Sequence, residues 1–149
     1  MARETSDATM SHQALMDLAE GHDDLLIELA TRVADVVRAV EGGVAHAGPL
    51  EVLVAFVEGQ VLPHIDAEEH ALALATSSVH MPAESVPMCL AALTAAHERL
   101  RFDAGRLADA PTPHRAMSIG CALTGLMDAH VRVAEAVVAR ALAARATSA

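Results

Sequence analysis

The stretch "LPHIDAEEHALAL" (residues 62–74) sets His64, Glu68 and Glu69 into a run otherwise rich in alanine and leucine. Positions i and i+4 share one face of a helix, so His64 and Glu68 point the same way. That is the face that should carry leucine into a core. A second stretch, "MDAHVRVAEAVVA" (residues 127–139), has a similar setting for His130. Pro63, directly before His64, clashes as a helical proline does with the carbonyl four residues back, here that of Gly59. The bend either aims His64 or only follows the core.

Outward from these stretches, turn signals divide the chain into four helical segments. They are "EGGVAHAGP" (41–49), "TSSVHMPAESVP" (76–87) and "DAPTPH" (109–114). The predicted helices cover about 8–41, 49–76, 83–109 and 113–146, in one domain over residues 1–149. Pro49 and Pro113 suit helix starts, and Thr112 suits an N-cap. No stretch reads as a strand. Connections this short make neighbouring helices antiparallel, so the expected fold is all-α, an up-down-up-down four-helix bundle.

Each helix carries an apolar stripe stepping by three and four residues, as a core-facing side requires. The first runs Leu15, Leu18, His22, Leu25, Leu29, Val33, Val36, Val40, and the second Leu53, Val57, Val61, His64, Glu68, Leu72. The third runs Val86, Leu90, Leu93, His97, Leu100, Ala104, Leu107, and the fourth Leu123, Leu126, His130, Val133, Val137. One histidine interrupts each. Counted from the connecting turns at ~1.5 Å per residue, the four differ in height by roughly 3 to 8 Å. They are predicted to meet at mid-height of one core.

A lone core histidine is ordinarily structural, bonded to a neighbour. Four at one level each need a partner out of water, and a metal cation satisfies all of them together. Imidazole plus carboxylate, without thiolate, suits iron, manganese or zinc. A bundle with inward-facing His and Glu from different helices is also the usual carrier of two-iron centres.

Composition agrees with this reading and narrows it. The chain has 149 residues, 53% of them hydrophobic, which suits a globular domain with a sizeable core. Aromatics are nearly absent, with two Phe and no Tyr or Trp, which favours close-packed helices. The formal net charge of −10 disfavours nucleic acid and favours cations. Cys89 and Cys121 are too few for a disulfide scaffold and are expected to be reduced, buried, small apolar residues. With no leader pattern and no apolar run long enough for a membrane span, a cytoplasmic protein away from membranes is expected. Glu69 is expected at the surface or hydrogen-bonded to a ligand histidine. Arg101 is expected to pair with Glu135 or Glu98. Met16, Met88, Met117 and Met127 are expected as core filler, and His12, His46, His70, His80 and His114 at the surface.

In order and spacing the residues resemble the hemerythrin-like, or HHE cation-binding, family. "EGHDDLL" supplies His22, "LPHIDAEEHAL" His64 and Glu68, "AAHERL" His97, and "DAHVRVAEAVV" His130 and Glu135. The resemblance implies a four-helix bundle around a non-haem di-iron centre. Its metal ligands would be His22, His64, Glu68, His97, His130 and Glu135, with two iron ions bridged by carboxylate or oxide. Zinc or manganese are the alternatives. The chain departs from the oxygen carriers of the family in lacking a second histidine on the third helix. Ala134 stands where many bacterial relatives have glutamate, and the acid falls one place later, at Glu135. One ligand fewer leaves a coordination position open. The resemblance therefore implies binding of, or reaction with, dioxygen, peroxide or nitric oxide. A non-catalytic module for iron storage or sensing is the alternative, and a metal-free interaction bundle is the third.

Overall fold

The computed structural model describes Gln13, Met16, Asp17, residues 19–78 and residues 86–146. Side chains are described outside 74–78, 86–89 and 140–146. The expected helix starts at 8 and 83, the burial of Leu15, Leu18 and Val86, and the readings of His12, His80, Met88 and Cys89 lie outside this description. Among the described residues every regular element is helical.

Helix α1 covers His22–Glu41, α2 Ala47–Phe56, α3 Leu62–Ser78, α4 Val86–Ala108 and α5 Pro113–Ala146. A π-helical turn, Val57–Val61, joins α2 to α3 without interruption. The result is four helical segments packed together, with α5 against both α4 and α1, and α1 against α2.

The ends follow from local chemistry. At the end of α1, Gly43 adopts φ +65°. This left-handed residue lets Gly43 N–H donate to the Val40 carbonyl and Val44 N–H to the Ala39 carbonyl, at 3.2 and 3.0 Å. Together these close the helix in a Schellman motif. Thr112 caps α5, accepting from Arg115 N–H at 3.2 Å, with Pro113 in the first helical position. α2 starts two residues earlier than expected, at Ala47, and Pro49 falls inside its first turn, where a missing N–H costs nothing.

The π turn explains how a helix carries Pro63. Proline offers no N–H and crowds the carbonyl of Gly59. The chain inserts one extra residue just upstream, so that Leu62 N–H donates to the Val57 carbonyl five residues back.

Two apolar clusters fill the bundle. The larger contains Leu29, Val33, Leu53, Ile65, Leu100, Leu123 and Met127, all buried. Each such leucine contributes ~1.5–3 kcal/mol of hydrophobic stabilisation. The smaller contains Ala71, Leu72, Leu93, Ala134 and Val137. Along α3, Glu68 lies between Ile65 of the first cluster and Ala71 of the second. Along α4, His97 lies between Leu93 and Leu100, and along α5, His130 lies between Met127 and Ala134. The polar residues thus form a layer between two dry ones. On α5 Leu123, His130 and Val137 of the expected stripe are buried, and Met127 is core filler as expected, but the stripe is wider than expected. Met127, Val131 and Ala134 are buried, whereas Leu126 and Val133 are only partly so.

Candidate metal centre

His22 is the first residue of α1, and His64 stands one residue after Pro63 on α3. Glu68 follows one turn later, His97 projects from α4 and His130 from α5. His22, Glu68, His97 and His130 are 0–3% exposed, and His64 is half-buried. The rings of His22 and His64 meet edge to face at 4.8 Å between centroids. His22 and His130 do so at 5.0 Å, and His97 lies 4.9 Å from His130. The expected convergence of four imidazoles at one level is therefore observed.

Glu68 sits at the middle of them. Its Oε1 faces His22 Nε2 at 3.7 Å, and its Oε2 faces His97 Nε2 at 3.2 Å and His130 Nε2 at 3.1 Å. The contact with His130 has the length of a hydrogen bond but not its direction, so both ring nitrogens of His130 stay unpartnered. Burial opposes ionisation of Glu68, but the imidazoles of His130, His22 and His97 gathered around its oxygens outweigh it and hold the carboxyl far below the usual carboxylate range. His64 is pushed down to about 4, first by burial and then by the charge of His22. It is a neutral imidazole at pH 7, the form that binds metal.

Both ring nitrogens of His22, both of His130 and Nε2 of His64 are buried with no hydrogen-bond partner. Buried polar atoms are ordinarily satisfied, and each orphan costs free energy. One ligand atom from each of His22, His64, Glu68 and His130 lies within 4.8 Å of the others. Orphaned nitrogens around a buried carboxylate are the donor set of a cation site, and this cluster is able to hold a metal ion in the helical core.

His97 is fixed from behind. Its Nδ1 lies 2.9 Å from Glu69 Oε1. Arg101 donates to both oxygens of Glu69 at 2.9 Å and to Asp66 at 2.7 Å. Arg101 therefore pairs with Glu69 and Asp66 on α3, correcting the expected partners Glu135 and Glu98. Four residues beyond His97 on α4, it faces the same neighbouring helix. Glu69 thus bonds to His97, the candidate ligand on α4.

Glu135 is not brought to the cluster. Its side chain is exposed, and Ala134, 1% exposed, takes the inward position. A residue five places after His130 is turned about 140° around the helix from it. Cys121 is exposed and free, correcting the expected burial, because the inward positions beside it are Gly120 and Leu123. The sequence reading also missed Asp103, which is 2% exposed and accepts from Arg99 Nε at 2.9 Å and Arg106 Nη1 at 3.2 Å. Two arginines at i−4 and i+3 were the available signal.

Among the described residues, no helix is long and apolar enough to cross a membrane. The chain matches no family model, and no curated protein or solved structure shows significant similarity to it.

Proposed function

We propose that this chain is a hemerythrin-like, up-down-up-down antiparallel bundle that holds non-haem iron at the His/Glu cluster and binds or reacts with dioxygen, peroxide or nitric oxide. The connections at 42–46 and 109–112 are short enough for antiparallel neighbours. The carrying observation is the set of orphaned nitrogens on His22, His64 and His130 around one buried carboxylate.

Glu68 presents one oxygen to His22 and the other to His97 and His130. A carboxylate placed this way suits a bridge between two ions, which is the di-iron reading. Bound iron would supply an electron-exchanging centre for the small ligand. His22, His64, His97 and His130 would hold it, Glu68 would offset its charge, and the apolar clusters on either side exclude water. With four imidazoles and one buried carboxylate, the donor set is small enough to leave positions open, which favours redox chemistry or sensing over reversible carriage.

A second reading is a single ion, favoured by the mutual closeness of the His22, His64, Glu68 and His130 ligand atoms and by the outward side chain of Glu135. Zinc or manganese would suit that site, as would a storage or sensing role without turnover. Metal analysis of protein purified without a histidine tag separates these readings. Two iron per chain, with peroxide turnover, supports the first. One ion without turnover supports the second. Protein that takes up no metal under reducing conditions excludes both.

A further inference from the structure

We infer that the cavity between α3 and α4 is the route by which a small uncharged molecule, dioxygen or nitric oxide, reaches the buried His/Glu cluster; this rests on the metal reading above. A centre sealed between two apolar layers needs an opening for its ligand. Two cavities among the described residues bear on this. One, of about 460 Å³, is lined by residues such as Arg32, Arg38 and Val52 and touches no member of the cluster. The other, of about 320 Å³, ends on His97. That is room for several molecules of water size, at ~30 Å³ each.

Its lining selects for charge. Leu72, Leu90 and Leu93 make the walls apolar, Thr94 stands at the exposed outer end, and Glu69 lies along one side. An anion entering here gives up its hydration and meets a carboxylate. An uncharged, weakly polar diatomic molecule gives up little. Glu69 is held by Arg101 and His97, so its carboxylate is kept beside the passage. The competing way in is past His64, whose ring is only half-buried.

The test begins with metal-free protein, so that it does not depend on iron. Under pressurised dioxygen, paramagnetic relaxation of the Leu90 and Leu93 methyl groups is expected to exceed several-fold that of the partly buried Leu50 and Val54. Equal relaxation at all four overturns the proposal. In iron-loaded protein, Thr94→Trp blocks the outer end and is expected to slow the reaction with nitric oxide about tenfold, as about 1.4 kcal/mol added to the barrier would. Iron content is expected to stay unchanged. Ala73→Trp, from the facing helix, repeats the block should Thr94→Trp fail to fold. An unchanged rate in a folded, iron-replete blocked variant overturns the proposal and places the entrance beside His64. A chain that takes up no iron removes the metal reading alone, and the relaxation pattern still decides whether the cavity admits the gas.

Discussion

His97 Nδ1 lies 2.9 Å from Glu69 Oε1, and the same ring's Nε2 lies 3.2 Å from Glu68 Oε2. One neutral imidazole has only one N–H to give. With that proton on Nδ1, donated to Glu69, Nε2 turns a lone pair toward a buried carboxylate oxygen. Two lone pairs at this distance repel unless a positive charge stands nearby. Either a second ring proton or a cation at the cluster supplies it, and with a cation bound Glu69 acts by fixing the tautomer.

Glu69→Gln keeps an acceptor for His97 but loses the charge and the bidentate grip of Arg101. Metal affinity is expected to weaken about 10-fold in Glu69→Gln and about 100-fold in Glu69→Ala. Competition with a chelator of known affinity measures both. Equal affinity in all three proteins would show that His97 needs no partner behind it.

Glu68→Gln preserves size and removes the only buried carboxylate that the described cluster contains. Metal binding is expected to be lost, and with it any dependence of melting temperature on added metal. In the unmodified protein, metal at a hundred times its dissociation constant adds about 2.7 kcal/mol of stability. Stripping the metal should remove that increment, and His64→Ala should do the same. Thermal melts across a metal titration read the effect. A titration that leaves the unmodified protein's melting point fixed contradicts the assignment.

The four histidines are legible because each stands where a stripe stepping by three and four residues demands an apolar side chain. Side-by-side polar choices are harder to read. In "HVRVAEA" the spacing of five already turns Glu135 about 140° from His130, against what the family resemblance implies, but only the helix phase shows that Ala134 takes the inward place. That phase is set by how α5 packs on α1 and α4. The same packing leaves Leu126 only partly buried and Cys121 outside. Asp103 reads as a surface acid until Arg99 and Arg106 are seen to close over it. Pro63 announces a bend, but its resolution into a π turn at Val57–Val61 depends on keeping both ends of the helix in the core.

In the metal-free protein, stability is expected to fall as pH drops from about 6.5 toward 4. His64 is pushed down to about 4 in the folded chain from an ordinary 6.5. Between these values the unfolded chain takes up a proton that the folded chain refuses, so acid favours unfolding. Solvent screening of a half-buried ring limits the effect to about 1–2 kcal/mol. Glu68, held below the carboxylate range, adds a loss of the same sign once the pH falls below about 4.5. Urea midpoints from pH 4 to 8 give the profile. His64→Gln should flatten its upper part, and a profile unaltered by that substitution assigns the slope to another group.

Two glycines of α5 should respond oppositely to alanine. A Cβ on Gly120 would lie 3.2 Å from Val33 Cγ2 and 3.5 Å from Leu53 Cδ2. Gly120 is thus where α5 closes on α1 and α2. Val33 is buried, and a helical valine has essentially one rotamer, so it cannot swing aside. The helix-propensity gain of ~1 kcal/mol is outweighed by overpacking of ~1–3 kcal/mol, leaving a net loss of about 1 kcal/mol in Gly120→Ala. At Gly125 a Cβ meets nothing within 4 Å, so Gly125→Ala should gain about 0.5–1 kcal/mol. Urea midpoints of the two variants measure the contrast. Stabilisation by both would mean that α5 can stand farther from α1 than the close approach at Gly120 requires, and the height match of His130 with His22 would loosen with it.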